Sequence, residues 1–292
     1  MNRVFITGGS GFIGKNLLDY LDKAGIEVVA PSSIDLDVTK KQEWERYMEV
    51  DVGHLVHLAG VTYVPESWEN PEKFFYTNFV GTLNALEYCR KRCISMTFIS
   101  AYIYGRPEKL PIKEGAEVSP NNPYAKSKYM GEEICEFYAL QFGVNVNVLR
   151  LFNVYGPGQS DKFLIPIIVK QLMAKDTDRI VVQDIYPKRD YVYVDDVCEA
   201  ILKSTQSAKC FQIYNVGSGE SYSVKEVIDL LQDVAGTNKV IHSDNHVRPN
   251  EINDVIADIT KIQKELCWAP KVDITYGLKN VLKKEGFANE DL

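Results

Sequence analysis

The run from Arg3 to Leu21 restricts the fold more than any other part of the chain. Arg3-Val-Phe-Ile6 reads as a short apolar strand, Thr7-Gly8-Gly9-Ser10-Gly11-Phe12-Ile13-Gly14 as a glycine turn, and Leu17, Leu18 and Leu21 mark a helical period. Strand, glycine turn and helix in that order form a cradle for a dinucleotide. The glycines allow a tight turn and close backbone approach, and the helix start turns its N–H groups toward the pyrophosphate. Gly8, Gly11, Phe12, Ile13 and Gly14 are the candidate cradle residues. The spacing leaves two residues, not one, between the first two glycines. Such a unit opens a doubly wound parallel sheet in an α/β protein.

The next strand, Ile26–Ala30, ends in Pro31-Ser32-Ser33. An acid at that strand end would hold the adenosine ribose and repel a 2′-phosphate. None stands there, and Ser32 and Ser33 can donate to a phosphate, so NADP is favoured over NAD. Asp37, followed by Val38, is placed to accept from the adenine amino group. It equally suits a cap for a helix over residues 40–49.

His54-Leu-Val-His-Leu58-Ala59-Gly60 reads as a buried parallel strand ending in small residues, suited to a backbone passing beside a dinucleotide. A long helix follows from Pro71 to Arg92, with Phe74, Phe75, Asn78, Leu83 and Leu86 facing inward. Met96–Ser100 is the next strand, and its C-terminal end lies on the sheet edge where ligands bind.

Asn121-Asn122-Pro123 suits a helix start, so Tyr124 and Lys128 fall one turn apart on one helix face. A free phenol titrates near ~10, and a neighbouring cation favours its ionised form. The pair therefore reads as an acid–base device, against the ordinary alternative of a solvated lysine on an amphipathic helix.

A net charge of −7 and a pI near 5.3 argue against nucleic acid or an anionic membrane surface as partner. An anionic ligand must then be held by a few placed cations. The six cysteines form no Cys-x-x-Cys pair and share no ligand spacing with the four histidines, so buried free thiols are expected and no metal. No leader and no apolar run of ~18 residues is read, and a cytoplasmic location is expected.

Six segments occur in order: Thr7–Gly14, His57-Leu-Ala-Gly60, Ser100-Ala-Tyr-Ile-Tyr-Gly105, Tyr124-Ala-Lys-Ser-Lys128, Arg150-Leu-Phe-Asn-Val-Tyr-Gly-Pro157 and Arg189-Asp-Tyr-Val-Tyr-Val-Asp-Asp196. In these the chain resembles the extended short-chain dehydrogenases/reductases, in their nucleotide-sugar epimerase/dehydratase branch, from Arg3 to about Pro270. The resemblance implies a Rossmann-type doubly wound parallel sheet over residues 1–153, returning at about 190–217. It implies a smaller C-terminal α/β substrate domain within 154–292, mainly 154–189 and 218–292. It also implies a Ser100–Tyr124–Lys128 triad. Ser100 would hydrogen-bond the reacting oxygen, Tyr124 exchange the proton, and Lys128 bind the nicotinamide ribose and lower the Tyr124 pKa.

Ala101 and Tyr102 stand where the 4,6-dehydratases of the family carry an Asp-Glu pair, so elimination of water lacks its machinery. Tyr102 is expected to pack against the sugar, with protonation of an enolate as the alternative. The resemblance places Asn153 on the substrate diphosphate, and the segment with Leu164 is expected to contact the base and sugar. Arg189 and Arg248 are the cations expected to hold the diphosphate, since planar, permanently charged forks suit phosphate oxygens. Gln183–Lys188 departs from the usual Gly-rich turn before the Arg-Asp-Tyr segment. Asp195 and Asp196 precede a helical pattern, which accounts for them without a metal.

Reduction of the 4-keto group of a nucleotide-linked 6-deoxyhexose is the expected reaction. A 4-epimerase with tightly bound NAD and a non-catalytic dinucleotide-binding regulator are the alternatives. The helices at 71–92 and 123–142 are expected to pair with their symmetry mates in a homodimer.

Overall fold

The computed structural model describes residues 3–207, 209–244 and 251–287. Six strands form one sheet in the spatial order Phe211–Val216, Val146–Leu151, Ser95–Ala101, His54–His57, Val4–Thr7, Val28–Val29. Every neighbouring pair is parallel. The first strand has the second on one side and the third on the other, so the chain order reverses there. A crevice opens at such a reversal, beyond the C-terminal ends of the strands.

Successive residues of a strand point to opposite faces, and this sheet is covered on both. Val4, Ile6, Val56, Ile99 and Leu149 enter one core with the helices Phe12–Lys23, Leu164–Met173 and Val194–Ser204. Phe5, Leu55, Met96, Phe98 and Val148 enter the other with the helices Gly81–Arg92 and Pro123–Phe142. A Cβ on Gly131 would lie 2.7 Å from the Phe98 ring, so a glycine is what lets the latter helix sit down on the sheet.

The remaining elements are shorter. Arg179–Val182 pairs with Val240–Ser243, Lys188–Arg189 with Tyr222–Ser223, and Asn153–Tyr155 with Tyr191–Tyr193. Ser223 and Glu226 close a capping box on the helix Val224–Ala235. Asp195 and Asp196 do lie in the first turn of a helix. Asp196 also accepts from the backbone N–H groups of Lys271 and Val272, at 3.0 and 3.1 Å, and so anchors the C-terminal segment.

Several local expectations shift. The second strand shrinks to Val28–Val29, ahead of Pro31, whose ring removes a ladder donor. The helix from Pro71 to Arg92 is continuous but passes through a π turn at Tyr76–Val80. The helices Val64–Glu69 and Thr260–Leu266 and the strand Val240–Ser243 are too short to show a period in sequence. Cys89, Cys135 and Cys198 are buried free thiols, whereas Cys93, Cys210 and Cys267 are exposed. Among the described residues no helix is long and apolar enough to cross a membrane, and no cluster of ligating side chains is suited to a metal.

Candidate active site

The crevice is built by loops that follow the first and third strands. Gly8 has φ +74°, and a Cβ there would fall 2.6 Å from the Ala59 nitrogen. A Cβ on Gly14 would fall 2.3 Å from the Gly8 carbonyl. The turn is therefore closed to any larger residue by its own backbone. Gly11 caps the helix Phe12–Lys23 with no side chain on the first N–H groups, which leaves them for an anion. This cradle fits a dinucleotide pyrophosphate. Phe12 and Ile13 pack on the core beneath it.

Leu58, Ala59 and Gly60 form the opposite wall. Thr7 Oγ1 lies 2.8 Å from His57 Nδ1 and accepts from the Ala59 N–H at 3.4 Å, tying the two loops together. Asn78, turned inward by the π turn, accepts from the Val61 N–H and donates to the Ser127 hydroxyl at 2.9 Å. One buried amide thus joins this wall to the helix that carries Tyr124 and Lys128. Asn78 stood out in sequence only as a polar residue on an inward helix face.

A Cβ on Gly9 would touch the Ala30 side chain at 3.3 Å, so the end of the second strand lies beside the cradle. Ser32 is partly buried there and Ser33 is exposed. Ser32 donates its hydroxyl to Asp35 at 2.6 Å. A carboxylate absent from the strand end in sequence is thereby folded back onto it. Asp37 accepts from the Thr39 N–H and hydroxyl at 3.0 and 2.7 Å. Burial opposes its ionisation, but the Thr39 bonds and nearby Lys40 outweigh it and hold the carboxyl below its ordinary value. Val38 is buried, and its carbonyl accepts from Trp44 Nε1 and Asn84 Nδ2.

The helix Pro123–Phe142 begins where Asn122 caps the Ala125 N–H at 2.8 Å. Lys128 is buried, with its ammonium 4.3 Å from the centre of the Phe98 ring. Burial lowers its pKa to about 8. His57 is driven to about 3, first by burial and then by Lys128, and so stays neutral. Tyr124 meets Phe74 edge-on at 6.3 Å. The expected lowering of the phenol by Lys128 is absent: burial raises it above its ordinary value, while the ammonium stands over Phe98. Among the described residues neither the Tyr124 hydroxyl nor the Lys128 ammonium has a protein hydrogen-bond partner.

Ser100 ends up on the same side of the sheet as Phe98 and is buried. It donates to Glu132 Oε1 at 2.5 Å. Glu132 is in turn paired with Arg150, whose Nη2 lies 2.6 Å from Oε2. Glu132 and Arg150 were not singled out in sequence, although the spacing from Tyr124 to Lys128 repeats once more to Glu132.

Tyr102 donates its hydroxyl to the Gly105 carbonyl at 2.5 Å and packs edge-on to Tyr104 and Phe152. Burial raises its phenol, with Arg189 opposing. Asn153 is partly buried at the start of its short strand, and Leu164 opens the helix Leu164–Met173. Arg189 forms an ion pair with Glu251 and donates to the Ile252 carbonyl at 2.7 Å. A diphosphate would have to share that guanidinium with a carboxylate. Arg248 lies outside the described residues.

A glycine cradle at the reversal point of a parallel sheet defines a dinucleotide-binding α/β protein. The NAD dependent epimerase/dehydratase family model matches residues 4–217. The chain belongs to that family and is an NAD(P)-dependent enzyme. It is 33% identical to a GDP-6-deoxy-D-mannose reductase of Pseudomonas aeruginosa over 96% of both chains. Among solved structures, RMD from Pseudomonas aeruginosa complexed with NADPH superposes with a TM-score of 0.90 at 32% identity, over 97% of this chain and 98% of that one. A UDP-glucose 4-epimerase of Thermus thermophilus complexed with NAD superposes at 0.87 and 29% identity, over 97% and 99%.

Proposed function

We propose that the protein reduces the 4-keto group of a nucleotide-linked 6-deoxyhexose, with NADP(H) favoured over NAD(H). The observation that carries this reading is the 33% identity to a GDP-6-deoxy-D-mannose reductase over 96% of both chains. Ala101 and Tyr102 in place of a carboxyl pair argue against a dehydratase. The phenol of Tyr102, spent on the Gly105 carbonyl, serves as a wall for the sugar.

When bound, the dinucleotide supplies the hydride. Tyr124, protonated because burial raises its pKa, gives the proton to the sugar oxygen as the carbon–oxygen double bond is reduced to an alcohol. Lys128 holds the cofactor ribose and stabilises the phenolate that the transfer leaves behind. Ser100 stands at the reacting oxygen. Gly8, Gly11 and Gly14 take the pyrophosphate, and Ser32 and Ser33 the adenosine end. Arg189 and Arg248 take the sugar-nucleotide diphosphate, beside Asn153 and Leu164. The nucleotide-binding unit comprises residues 1–153 and about 190–217, and the sugar-nucleotide unit mainly 154–189 and 218–292. Exposed Trp68, Tyr76, Phe137, Leu140 and Phe142, on or beside the helices at 71–92 and 123–142, favour a homodimer, which light scattering on the purified protein checks.

The 4-epimerase likeness supports a second reading, in which NAD stays bound and hydride returns to the other face of the sugar. Mass analysis of nucleotide released from freshly purified, denatured protein separates the two. An empty site that NADPH protects against thermal unfolding more than NADH supports the reductase. One equivalent of retained NAD overturns it in favour of the epimerase.

A further inference from the structure

Ser100 carries a single hydroxyl proton, and the structure commits it. The hydroxyl donates to Glu132 Oε1 at 2.5 Å, inside a core where the Glu132 and Arg150 side chains are each 3% exposed. Arg150 Nε contacts both carboxylate oxygens at 3.0 and 3.1 Å, and Nη2 binds Oε2 at 2.6 Å. The remaining arm, Nη1, donates to the Glu114 carbonyl at 3.1 Å, and the guanidinium lies 4.8 Å from the Tyr104 ring. A carboxylate in such a pair accepts and cannot donate, so the direction of the Ser100 bond is fixed.

We propose that Glu132, held by Arg150, is a positioning residue for the reaction: it takes the Ser100 proton, so that Ser100 presents lone pairs to the cleft. This rests on the reading of Ser100 and Tyr124 as reacting neighbours. A lone pair beside Tyr124 favours the phenol over the phenolate, since only the phenol has a proton to share. Tyr124 is thereby kept as an acid, the form that ketone reduction consumes. The same lone pair accepts from the new sugar hydroxyl once the proton has moved.

Besides Lys128 and Glu132, Tyr124's helix carries Lys126, Tyr129, Glu133, Cys135, Glu136 and Tyr138. His57 is neutral above about pH 3. Glu66 pairs with Lys73 on the neighbouring helices, and Glu87 pairs with Arg90 and accepts from Tyr138 farther along. None of these bonds to Ser100, which leaves the Glu132–Arg150 pair as the group that sets its hydroxyl.

The test is the pH at which Tyr124 ionises in the cofactor-bound protein, read by ultraviolet difference absorption against Tyr124→Phe, together with the alkaline limit of kcat on a nucleotide-linked 4-keto-6-deoxyhexose. In Glu132→Gln the amide N–H can occupy the Ser100 lone pair and free the Ser100 proton for the phenolate. A fall of about one pH unit is expected in both readouts, the worth of one hydrogen bond. In a Ser100→Ala background the same substitution should leave the ionisation where Ser100→Ala alone puts it. An equal fall in both backgrounds would mean that the uncompensated charge of Arg150 acts directly, and would overturn the proposal. The neutral pair Glu132→Leu with Arg150→Met keeps the test available if Glu132→Gln does not fold. It carries no stray charge, and an unchanged Tyr124 ionisation in it also overturns the proposal. Absence of turnover by the wild type would count against the reductase reading alone, because the absorption titration needs no substrate.

Discussion

Lys128 and Arg150 are both buried cations beneath the same cleft, and the fold treats them in opposite ways. Arg150 is matched by Glu132: burial works against its charge, but the hydrogen bonds and attraction of the carboxylate prevail and raise its pKa. Among the described residues Lys128 has no carboxylate in salt-bridge contact, only the face of Phe98, and burial lowers it to about 8. The difference separates a charge that is built in from one that is held ready. A paired ion satisfies itself and can orient a neighbour such as Ser100. An unpaired ammonium is costly while the cleft is empty and gains when a ligand supplies hydroxyl acceptors.

The largest expected effect tests the readiness of Lys128 and its neighbour. Tyr124→Phe should lower kcat by about a thousandfold and Lys128→Met by about a hundredfold, the range of a lost acid and a lost supporting charge, in steady-state assays. Lys128→Met should at the same time stabilise the ligand-free protein at pH 7. The sign follows from proton linkage. With a folded pKa near 8 and an unfolded one of 10.5, the unfolded chain binds more protons between those values, so wild-type stability should rise across that window. The variant should lack that rise, as urea unfolding at several pH values would show. A wild type flat from pH 8 to 10.5 would break the contrast with Arg150.

Breaking the built-in charge comes next. Arg150→Met alone leaves a buried carboxylate and should cost about 3–5 kcal/mol, whereas Arg150→Met with Glu132→Leu should cost far less, because both desolvation penalties vanish together. Equal costs in urea unfolding would show that packing, not charge pairing, holds this region. Gly8→Ala adds a methyl where 2.6 Å separates it from the Ala59 nitrogen, at a positive φ. It should destabilise by about 1–3 kcal/mol and weaken dinucleotide binding more than tenfold by calorimetry. The smallest effect belongs to the surface. Asp35→Asn removes the carboxylate folded onto Ser32 and should shift the NADPH-to-NADH affinity ratio toward NADPH by about threefold to fivefold, as expected of an exposed charge.

The regions that were legible in sequence are those whose physics is local. The glycine turn declares itself because only glycine meets its backbone demands, and the parallel strands because both faces of the sheet are buried. The helix at Pro123–Phe142 was legible from Asn122, Pro123 and the four-residue step from Tyr124 to Lys128. What stayed hidden depends on residues far apart in the chain. Asp35 lies past the end of the second strand in sequence, until a turn carries its carboxylate back to Ser32. Glu132 looks like one more polar helix residue, and Arg150 like part of a strand-end motif, until the sheet and helix bring them together beside Ser100. The Tyr124 phenol was expected to fall because a cation lies one turn away. It rises because burial opposes its ionisation and Lys128 ends over Phe98: spacing along a helix fixes which face a side chain leaves from, and not where a long side chain ends.

The sequence by itself determined the doubly wound sheet, the cradle at its reversal point and the placing of Ser100, Tyr124 and Lys128 on a neighbouring strand and helix, since periodicity, glycine turns and strand ends are written in consecutive residues. Only the tertiary structure decided which charges are paired, which are bare and which way the Ser100 hydroxyl points, because burial and hydrogen-bond direction exist only once distant segments have closed around them.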